Sequence, residues 1–208
     1  MRDTKEEILM AALHLFAQNG YEAVSVSTIA GVLGMTKGAL YKHYKNKRDI
    51  FDHIVQQMYE IDAERSQAYD VPDAPDGDAP ESYEAVSWDS FAAFTRAQFT
   101  FWTEDSFARD FRRMLTLEQY RSAEIAELYR NCLVSGPSQY TADIFREMER
   151  EGRLTGGDPD TLALAFCAPL FLLIAESDCT HDPAASLARL EQHIDLFYRN
   201  HVRKEKPE

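Results

Sequence analysis

Residues 33–48 decide the fold, and they read Leu33-Gly34-Met35-Thr36-Lys37-Gly38-Ala39-Leu40-Tyr41-Lys42-His43-Tyr44-Lys45-Asn46-Lys47-Arg48. Gly34 accepts the positive φ with which many helices end, and Thr36 carries a hydroxyl that can cap the next helix. The small residues Gly38 and Ala39 stand at the start of that second helix, where bulk would hold it away from base edges. The stretch therefore predicts the turn and the recognition helix of a helix-turn-helix.

The charge pattern around this stretch favours contact with a phosphate backbone. Acidic residues outnumber basic ones by 35 to 22 in the whole chain, yet no Asp or Glu occurs between Ala23 and Arg48. Cationic side chains that neutralise phosphates supply much of the affinity of DNA-binding proteins. The net charge of −13 argues against a general coat for nucleic acids. The sequence thus indicates a basic DNA-binding region on an acidic body.

The spacing of seven residues in this region resembles the tetracycline-repressor (TetR) family of bacterial one-component regulators. These residues are Gly34, Lys37, Gly38, Leu40, Tyr41, Tyr44 and Lys47. Beyond the N-terminal part, the chain resembles the family only in its helical layout. The resemblance implies a transcriptional regulator, expected to be a homodimeric repressor that a small molecule releases from a palindromic operator in double-stranded DNA.

The predicted fold is all-α, with about nine helices at the periodicity of amphipathic segments. Three short helices form the DNA-binding domain over 1–46, and 47–208 form a larger helical domain for effector binding and dimerisation. A helix over 47–69 connects the two. Proline and acidic residues over 70–86 predict a mobile loop, because such a composition buries too little apolar surface to offset its ordering entropy.

Two signals mark the helices near the C-terminus. Asp158-Pro159 and Asp182-Pro183 each offer a capping carboxylate followed by a proline at the first helical position. A preceding helix over 123–151 is expected to be broken or kinked at Gly136-Pro137, because proline removes a backbone donor and clashes with the preceding turn.

The candidate DNA contacts lie on the recognition helix and beside it. We expect Lys37 to read a guanine edge and Lys47 to contact a phosphate, whereas Leu40 belongs to the core. Ser25 is expected to be a helix cap, and the nearby Ser27 and Thr28 are either backbone contacts or caps as well. The full set is Ser27, Thr28, Thr36, Lys37, Gly38, Ala39, Tyr41, Lys42, His43, Tyr44 and Lys47.

Aromatic residues are abundant in the larger domain, and they have two interpretations. Apolar side chains at helical spacing are most simply core residues, but their number also suits a cavity for a small apolar or amphipathic effector. The candidates for such a cavity are Phe91, Phe94, Trp102, Phe111, Met114, Tyr129, Phe145 and Phe166.

The last two helices are predicted to form the dimer interface. One is apolar almost throughout over 162–175, and the other repeats apolar residues at steps of three and four, as in a helical seam. Two copies of such a pair would make a four-helix bundle with two-fold symmetry. The residues expected at this interface are Leu170, Leu173, Leu187, Leu190, Ile194 and Phe197.

Other classes of function find little support. No Gly-x-Ser-x-Gly, glycine-rich phosphate loop or His-Glu-x-x-His occurs, so we expect no enzyme and no cofactor. Five polar residues between the last two helices fit no metal-ligand spacing, so no metal site is expected. No signal peptide and no apolar run of the ~20 residues needed to span a bilayer is seen, which predicts a cytoplasmic protein. Two alternatives stay open: a small-molecule-binding sensory protein with little DNA affinity, and an enzyme on a helical scaffold.

Overall fold

A computed structural model describes residues 4–68 and 86–203. Within these ranges the chain forms ten helices and an isolated β-bridge between Leu154 and Val202, which confirms the predicted all-α fold. The predicted loop over 70–86 lies outside the described residues except for Val86, which is buried. The helices are α1 (Thr4–Asn19), α2 (Val26–Val32), α3 (Lys37–Leu40), α4 (Lys47–Ala68), α5 (Trp88–Glu104), α6 (Ser106–Glu118), α7 (Ala123–Leu133), α8 (Ser135–Arg150), α9 (Pro159–Thr180) and α10 (Pro183–His201).

The helix predicted over 123–151, with a break or kink at Gly136-Pro137, is two helices in the structure. Val134 separates α7 from α8 with φ −127° and ψ −87°. Pro137 therefore lies in the first turn of α8, where a missing N–H leaves no intrahelical bond unmade. Gly136 lies so close to the carbonyl of Asn131 that a Cβ atom would collide with it. The break thus falls just before the Gly-Pro pair.

The described chain divides into two compact units. The first contains the described residues of Met1–Asp62 together with Asp105–Tyr129, and the second those of Ala63–Glu104 and Arg130–Glu208. Helix α4 contributes residues to both. The first unit extends beyond the DNA-binding domain predicted over 1–46, because α6 packs along α1. The boundary at residue 46, between a DNA-binding domain and an effector-binding domain, stays a prediction.

In the first unit, α1 supplies the centre of the core. Its Ile8, Leu13 and Phe16 are fully buried, as are Ile29 of α2 and Leu40 of α3. From α6, Phe111, Met114 and Leu115 are equally buried. Each of these helices thus turns its apolar face toward the same interior, which fixes the orientation of the short helices α2 and α3.

In the second unit, aromatic rings form the core. Phe166 of α9 lies 5.1 Å from Phe91, 5.8 Å from Phe145 and 5.0 Å from Phe197, measured between ring centroids. Trp88 stacks on Phe197 at 5.9 Å. Such offset and edge-to-face pairs each add to the stabilisation that burial provides.

Helix α9 is long and apolar enough to cross a membrane by length and composition alone. The apolar run over 162–175, which is too short to span a bilayer, is only part of this helix. Leu162, Phe166 and Leu173 are buried, and α9 packs against α8 and α10. Since the core helix of a soluble protein passes the same test, the length of α9 by itself does not indicate a membrane protein.

Candidate nucleic-acid interface

Helix α2 and the turn after it have well-defined ends. Ser25 caps α2, and its hydroxyl accepts a hydrogen bond from the amide of Thr28 at 3.1 Å, as expected. At the other end, the amide of Met35 donates to the carbonyl of Ala30 at 3.0 Å, and that of Gly34 to Gly31 at 3.1 Å. Gly34 has φ +64°, so the helix closes with a Schellman motif. This turn sets the direction in which α3 leaves.

Helix α3 is shorter than predicted. It spans Lys37–Leu40 and continues as a turn over 41–43, whereas the sequence indicated a helix to about residue 44. Thr36 caps it by accepting a hydrogen bond from the amide of Ala39 at 3.2 Å. Leu40 is fully buried, as expected. One apolar anchor and one cap therefore hold the candidate recognition helix.

Most of the predicted DNA contacts are exposed around α3. Ala39 is half-buried, and the Lys37 ammonium lies 5.6 Å from the centroid of the Tyr41 ring. This surface carries cationic and hydroxyl groups but no carboxylate from residues 23–48. The exposed predicted residues are Ser27, Thr28, Thr36, Lys37, Gly38, Tyr41, Lys42 and His43.

Tyr44 does not lie on the outer face, and that prediction is wrong. Its side chain is buried, with 2% of the residue exposed. The hydroxyl donates to the backbone carbonyl of Lys5 at 3.1 Å, and the ring meets that of His53 edge-on at 5.2 Å. Tyr44 therefore joins the end of the helix-turn-helix to α1 and α4, because its ring fills the gap between them.

Lys47 has a structural partner at the position where a phosphate contact was expected. Its ammonium donates to the carbonyl of Tyr21 at 2.9 Å and lies 4.2 Å from the centroid of the Tyr21 ring. Only 22% of the side chain is exposed. These contacts tie the start of α4 to the loop between α1 and α2. A phosphate contact by Lys47 stays a prediction.

Arg48 is a structural residue that the sequence did not reveal. Its guanidinium forms a bidentate pair with Glu124 of α7 and a hydrogen bond of 2.6 Å with Asp52. The pair lowers the pKa of Glu124, mainly through the hydrogen bonds from Arg48, and raises that of Arg48. Arg48 and Asp52 stand at the i, i+4 spacing of a helical pair, but Glu124 is too distant in sequence to be found by spacing.

The predicted effector-binding residues are distributed over both units. Phe111, Met114 and Tyr129 belong to the first unit, and the others belong to the second. All except Tyr129 are buried. In the second unit, Phe91, Phe145 and Phe166 pack against one another at the distances given above. These rings are therefore packed as core residues, and an effector site among them stays a prediction.

Four of the six residues predicted for the dimer interface belong to the core of one chain, and the other two stay predictions. Leu173, Leu190, Ile194 and Phe197 are buried within a single chain, with Leu190 0% exposed. Leu170 and Leu187 are half-buried. The apolar stripe of α10 packs on α5 and α9 of its own chain, because a helical seam identifies an apolar face but not the helix that covers it.

A different apolar surface is exposed on α9. Leu164 and Leu172 are 62% and 64% exposed, and Ala168, Ala175 and Cys179 are exposed at the same helical spacing. We call these five residues the α9 outer face. Leu196 of α10 is also exposed.

The polar residues between α9 and α10 have structural roles. Asp182 caps α10 by accepting from the amide of Ala185 at 3.0 Å, and His181 ends α9 in the left-handed region at φ 57°. Glu176 pairs with Arg189. Over 4–68 and 86–203, no group of three or more His, Cys, Asp or Glu side chains could hold a metal ion.

Comparison with known proteins identifies the N-terminal domain. Residues 8–54 match the family model for bacterial regulatory proteins of the tetR family. The N-terminal domain belongs to the tetR family. The chain is 43% identical over 53 residues to the HTH-type transcriptional regulator AcrR of Shigella flexneri, and 40% over 53 residues to the HTH-type transcriptional repressor BepR of Brucella suis. Each match covers 26% of this chain and 25% of the relative. These relatives are transcriptional regulators rather than enzymes.

Solved structures resemble the whole chain in fold. SmeT, the repressor of a multidrug efflux pump of Stenotrophomonas maltophilia, aligns in its triclosan complex with a TM-score of 0.66 and 20% identity over 100% of both chains. A transcriptional regulator from Saccharomonospora viridis in complex with choline aligns with a TM-score of 0.66 and 20% identity, covering 96% of this chain and 98% of that one. The likeness in fold thus extends beyond residues 8–54, which the family model matches.

We predict that Lys47→Ala destabilises the protein by about 1–2 kcal/mol, because it removes a charged donor from a partly buried carbonyl and a cation from the Tyr21 ring. Lys45→Ala is the matched control, since Lys45 is exposed and carries the same charge. Chemical denaturation of the two variants measures the difference in the free energy of unfolding. Equal stability of the two would contradict the structural role of Lys47.

Proposed function

We propose that this protein is a cytoplasmic, DNA-binding transcriptional regulator, and that it acts as a repressor. The observation that carries the proposal is the exposed surface around α3, which combines a capped, short recognition helix with an absence of carboxylates over residues 23–48. The family of the N-terminal domain supports it as well. On an acidic chain, a basic surface of this kind concentrates attraction to phosphates at one place.

The recognition step follows from the geometry of α3. Gly38 is exposed, and no atom lies near the position of a Cβ except the Thr36 hydroxyl at 3.9 Å, so the start of α3 can approach base edges closely. Lys37, in the first turn, would donate to the O6 and N7 atoms of a guanine. Tyr41, Lys42 and His43 would bind phosphates beside it, and so would Ser27 and Thr28 from α2.

We further propose a homodimer in which the α9 outer face meets its copy. Exposed leucines alternate with alanines on this face, so a second α9 can approach closely and bury an otherwise solvated apolar stripe. A two-fold axis through this contact would pair two recognition helices. A palindromic operator is the DNA symmetry that such a pair requires.

The regulatory signal is proposed to be a small apolar or amphipathic effector. The aromatic residues predicted for its site are Phe91, Phe94, Trp102, Phe111, Met114, Tyr129, Phe145 and Phe166. In the second unit an effector would have to separate rings that now pack on one another. The triclosan and choline complexes of structural neighbours support a small-molecule effector, and triclosan is largely apolar.

The DNA-binding proposal predicts that Lys37→Ala and Lys42→Ala differ in kind. Loss of a base contact at Lys37 should cost ~1–3 kcal/mol and relax the preference at one position per half-site. Loss of a phosphate contact at Lys42 should weaken all sequences alike and flatten the salt dependence by ~1 per subunit. Selection of bound sequences from random DNA, followed by titration at several salt concentrations, measures both. Wild-type protein without a steep salt dependence would overturn the proposal.

The dimer proposal predicts opposite outcomes for two leucines. Leu172→Asp should leave the protomer folded and dissociate the dimer, because an unpaired charge would be buried only at the interface. Leu190→Asp should unfold the protomer, since Leu190 is fully buried within one chain. Val134→Asp, at an exposed apolar residue outside the α9 outer face, is the control. Sedimentation and circular dichroism report the two effects. A monomeric wild type at micromolar concentration would rule out this interface.

The effector proposal predicts reciprocal coupling. A typical coupling free energy of ~1–3 kcal/mol would weaken operator binding by ~5–150-fold, and operator must weaken the effector by the same factor. Compounds that raise the melting temperature can be titrated into the protein with and without operator. A compound whose affinity is unchanged by operator would not be the effector.

A further inference from the structure

A cavity of about 160 Å³ lies within the first unit, apart from every residue predicted to bind the effector. One wall comes from the loop between α1 and α2, where Tyr21 contributes its ring. A second comes from the start of α4 with Phe51, and a third from the end of α6 and from α7 with Glu118 and Ile125. The cavity thus combines apolar rings with charged side chains.

Glu118 is the unusual group in this cavity. Its side chain is 1% exposed, although it ends α6, where the helix dipole disfavours a negative charge. Arg121 donates to its Oε1 atom at 3.2 Å, but the Arg121 side chain is itself 61% exposed. A buried carboxylate is therefore matched by a cation that lies mostly in solvent. Such pairing leaves much of the desolvation cost of the carboxylate uncompensated.

Gly20 makes room for this carboxylate. It has φ +84°, and a Cβ atom at this position would collide with Oε1 of Glu118. The backbone conformation of this residue favours glycine, and the missing side chain leaves space that the Glu118 carboxylate occupies. The loop between α1 and α2 is shaped so that Glu118 can lie at the cavity wall.

The charges around the cavity favour a cation. Three carboxylates, Glu22, Glu118 and Glu124, line it with two guanidinium groups, Arg48 and Arg121. Arg48 is already engaged by Glu124 and Asp52, so an anion would have to compete with those carboxylates. A cation, by contrast, needs only to take the place of the exposed Arg121 at Glu118.

The aromatic wall has the same preference. The rings of Tyr21 and Phe51 meet edge-on at 5.2 Å between centroids. Lys47 already places its ammonium 4.2 Å from the Tyr21 ring, and the Arg48 guanidinium lies 5.3 Å from the Phe51 ring. This part of the protein therefore attracts cations to its ring faces, which carry negative electrostatic potential.

We propose that the cavity binds a compact organic cation, with an amidinium or ammonium group on Glu118 and an apolar body against Tyr21, Phe51 and Ile125. A volume of about 160 Å³ suits a group of this size, since a cavity of about 150 Å³ accepts benzene. The site goes beyond the proposed regulatory function, because it neither uses the aromatic core of the second unit nor requires DNA.

Benzamidine is a suitable probe, because benzamide and benzoate have nearly the same shape but are neutral and negatively charged. Isothermal titration of the full-length chain, without DNA, compares the three. We expect benzamidine to bind with one site per chain, and benzamide and benzoate to bind at least about tenfold more weakly, as for the loss of a charged hydrogen-bond partner. Equal binding of benzoate or benzamide, or no binding of benzamidine, would overturn the proposal.

Two variants locate the site by effects of opposite sign. Glu118→Gln should weaken benzamidine at least about tenfold, whereas Arg121→Ala should strengthen it several-fold by removing the competing cation. Glu127→Gln and Arg130→Ala on α7 make the same charge changes outside the cavity, and should leave the affinity unchanged. If Glu118→Gln does not fold, the comparison of benzamidine affinity between Arg121→Ala and Arg130→Ala still tests the site. Equal effects of a variant and its control would show general attraction to an acidic protein and overturn the site.

Discussion

The packing of α1 is the constraint on which the first unit depends. Helices α2 and α3 have seven and four residues, far below the ~12–15 at which an isolated helix becomes even marginally stable in water. They persist because Ile29 and Leu40 are buried in the same core as Phe16 of α1. The position of the exposed surface around α3 therefore depends on the packing of α1. Tyr44 strengthens this dependence, since its hydroxyl is bonded to the backbone of α1.

The same helix also carries α6. His14 of α1 bonds the largely buried Asp110 of α6 at 2.9 Å, and Glu118 at the end of α6 fits against Gly20 beyond the end of α1. Arg48 adds a second polar connection, from α4 to α7. A displacement of α6 would therefore have to break the pair of His14 with Asp110. Well-packed interfaces of this kind shift between discrete arrangements instead of deforming continuously.

Local signals in the sequence predicted the fold well, and long-range contacts limited the prediction of the site. Ser25, Gly34 and Asp158 act through neighbours a few residues away, so their roles as cap or helix end follow from spacing. The burial of Tyr44 depends on Lys5 and His53, which no spacing relates to it. Steps of three and four in the sequence predicted the apolar stripe of α10, yet the helices that it packs on belong to its own chain. Periodicity identifies an apolar face, whereas topology decides what covers it.

The contrast between α9 and α10 explains why the apolar stripe of α10 is covered by its own chain while α9 keeps an exposed apolar face. An amphipathic helix such as α10 needs one covering surface, and its own chain supplies it, which leaves polar residues such as Gln192 outside. Over 162–175, helix α9 is apolar on all sides, so α5, α8 and α10 can cover only part of it, and Leu164 and Leu172 stay exposed. The apolar surface that stays exposed therefore belongs to α9, which has no helical seam. Absence of a polar face, rather than presence of an apolar one, is therefore the sequence feature that predicts apolar surface left uncovered by the chain itself.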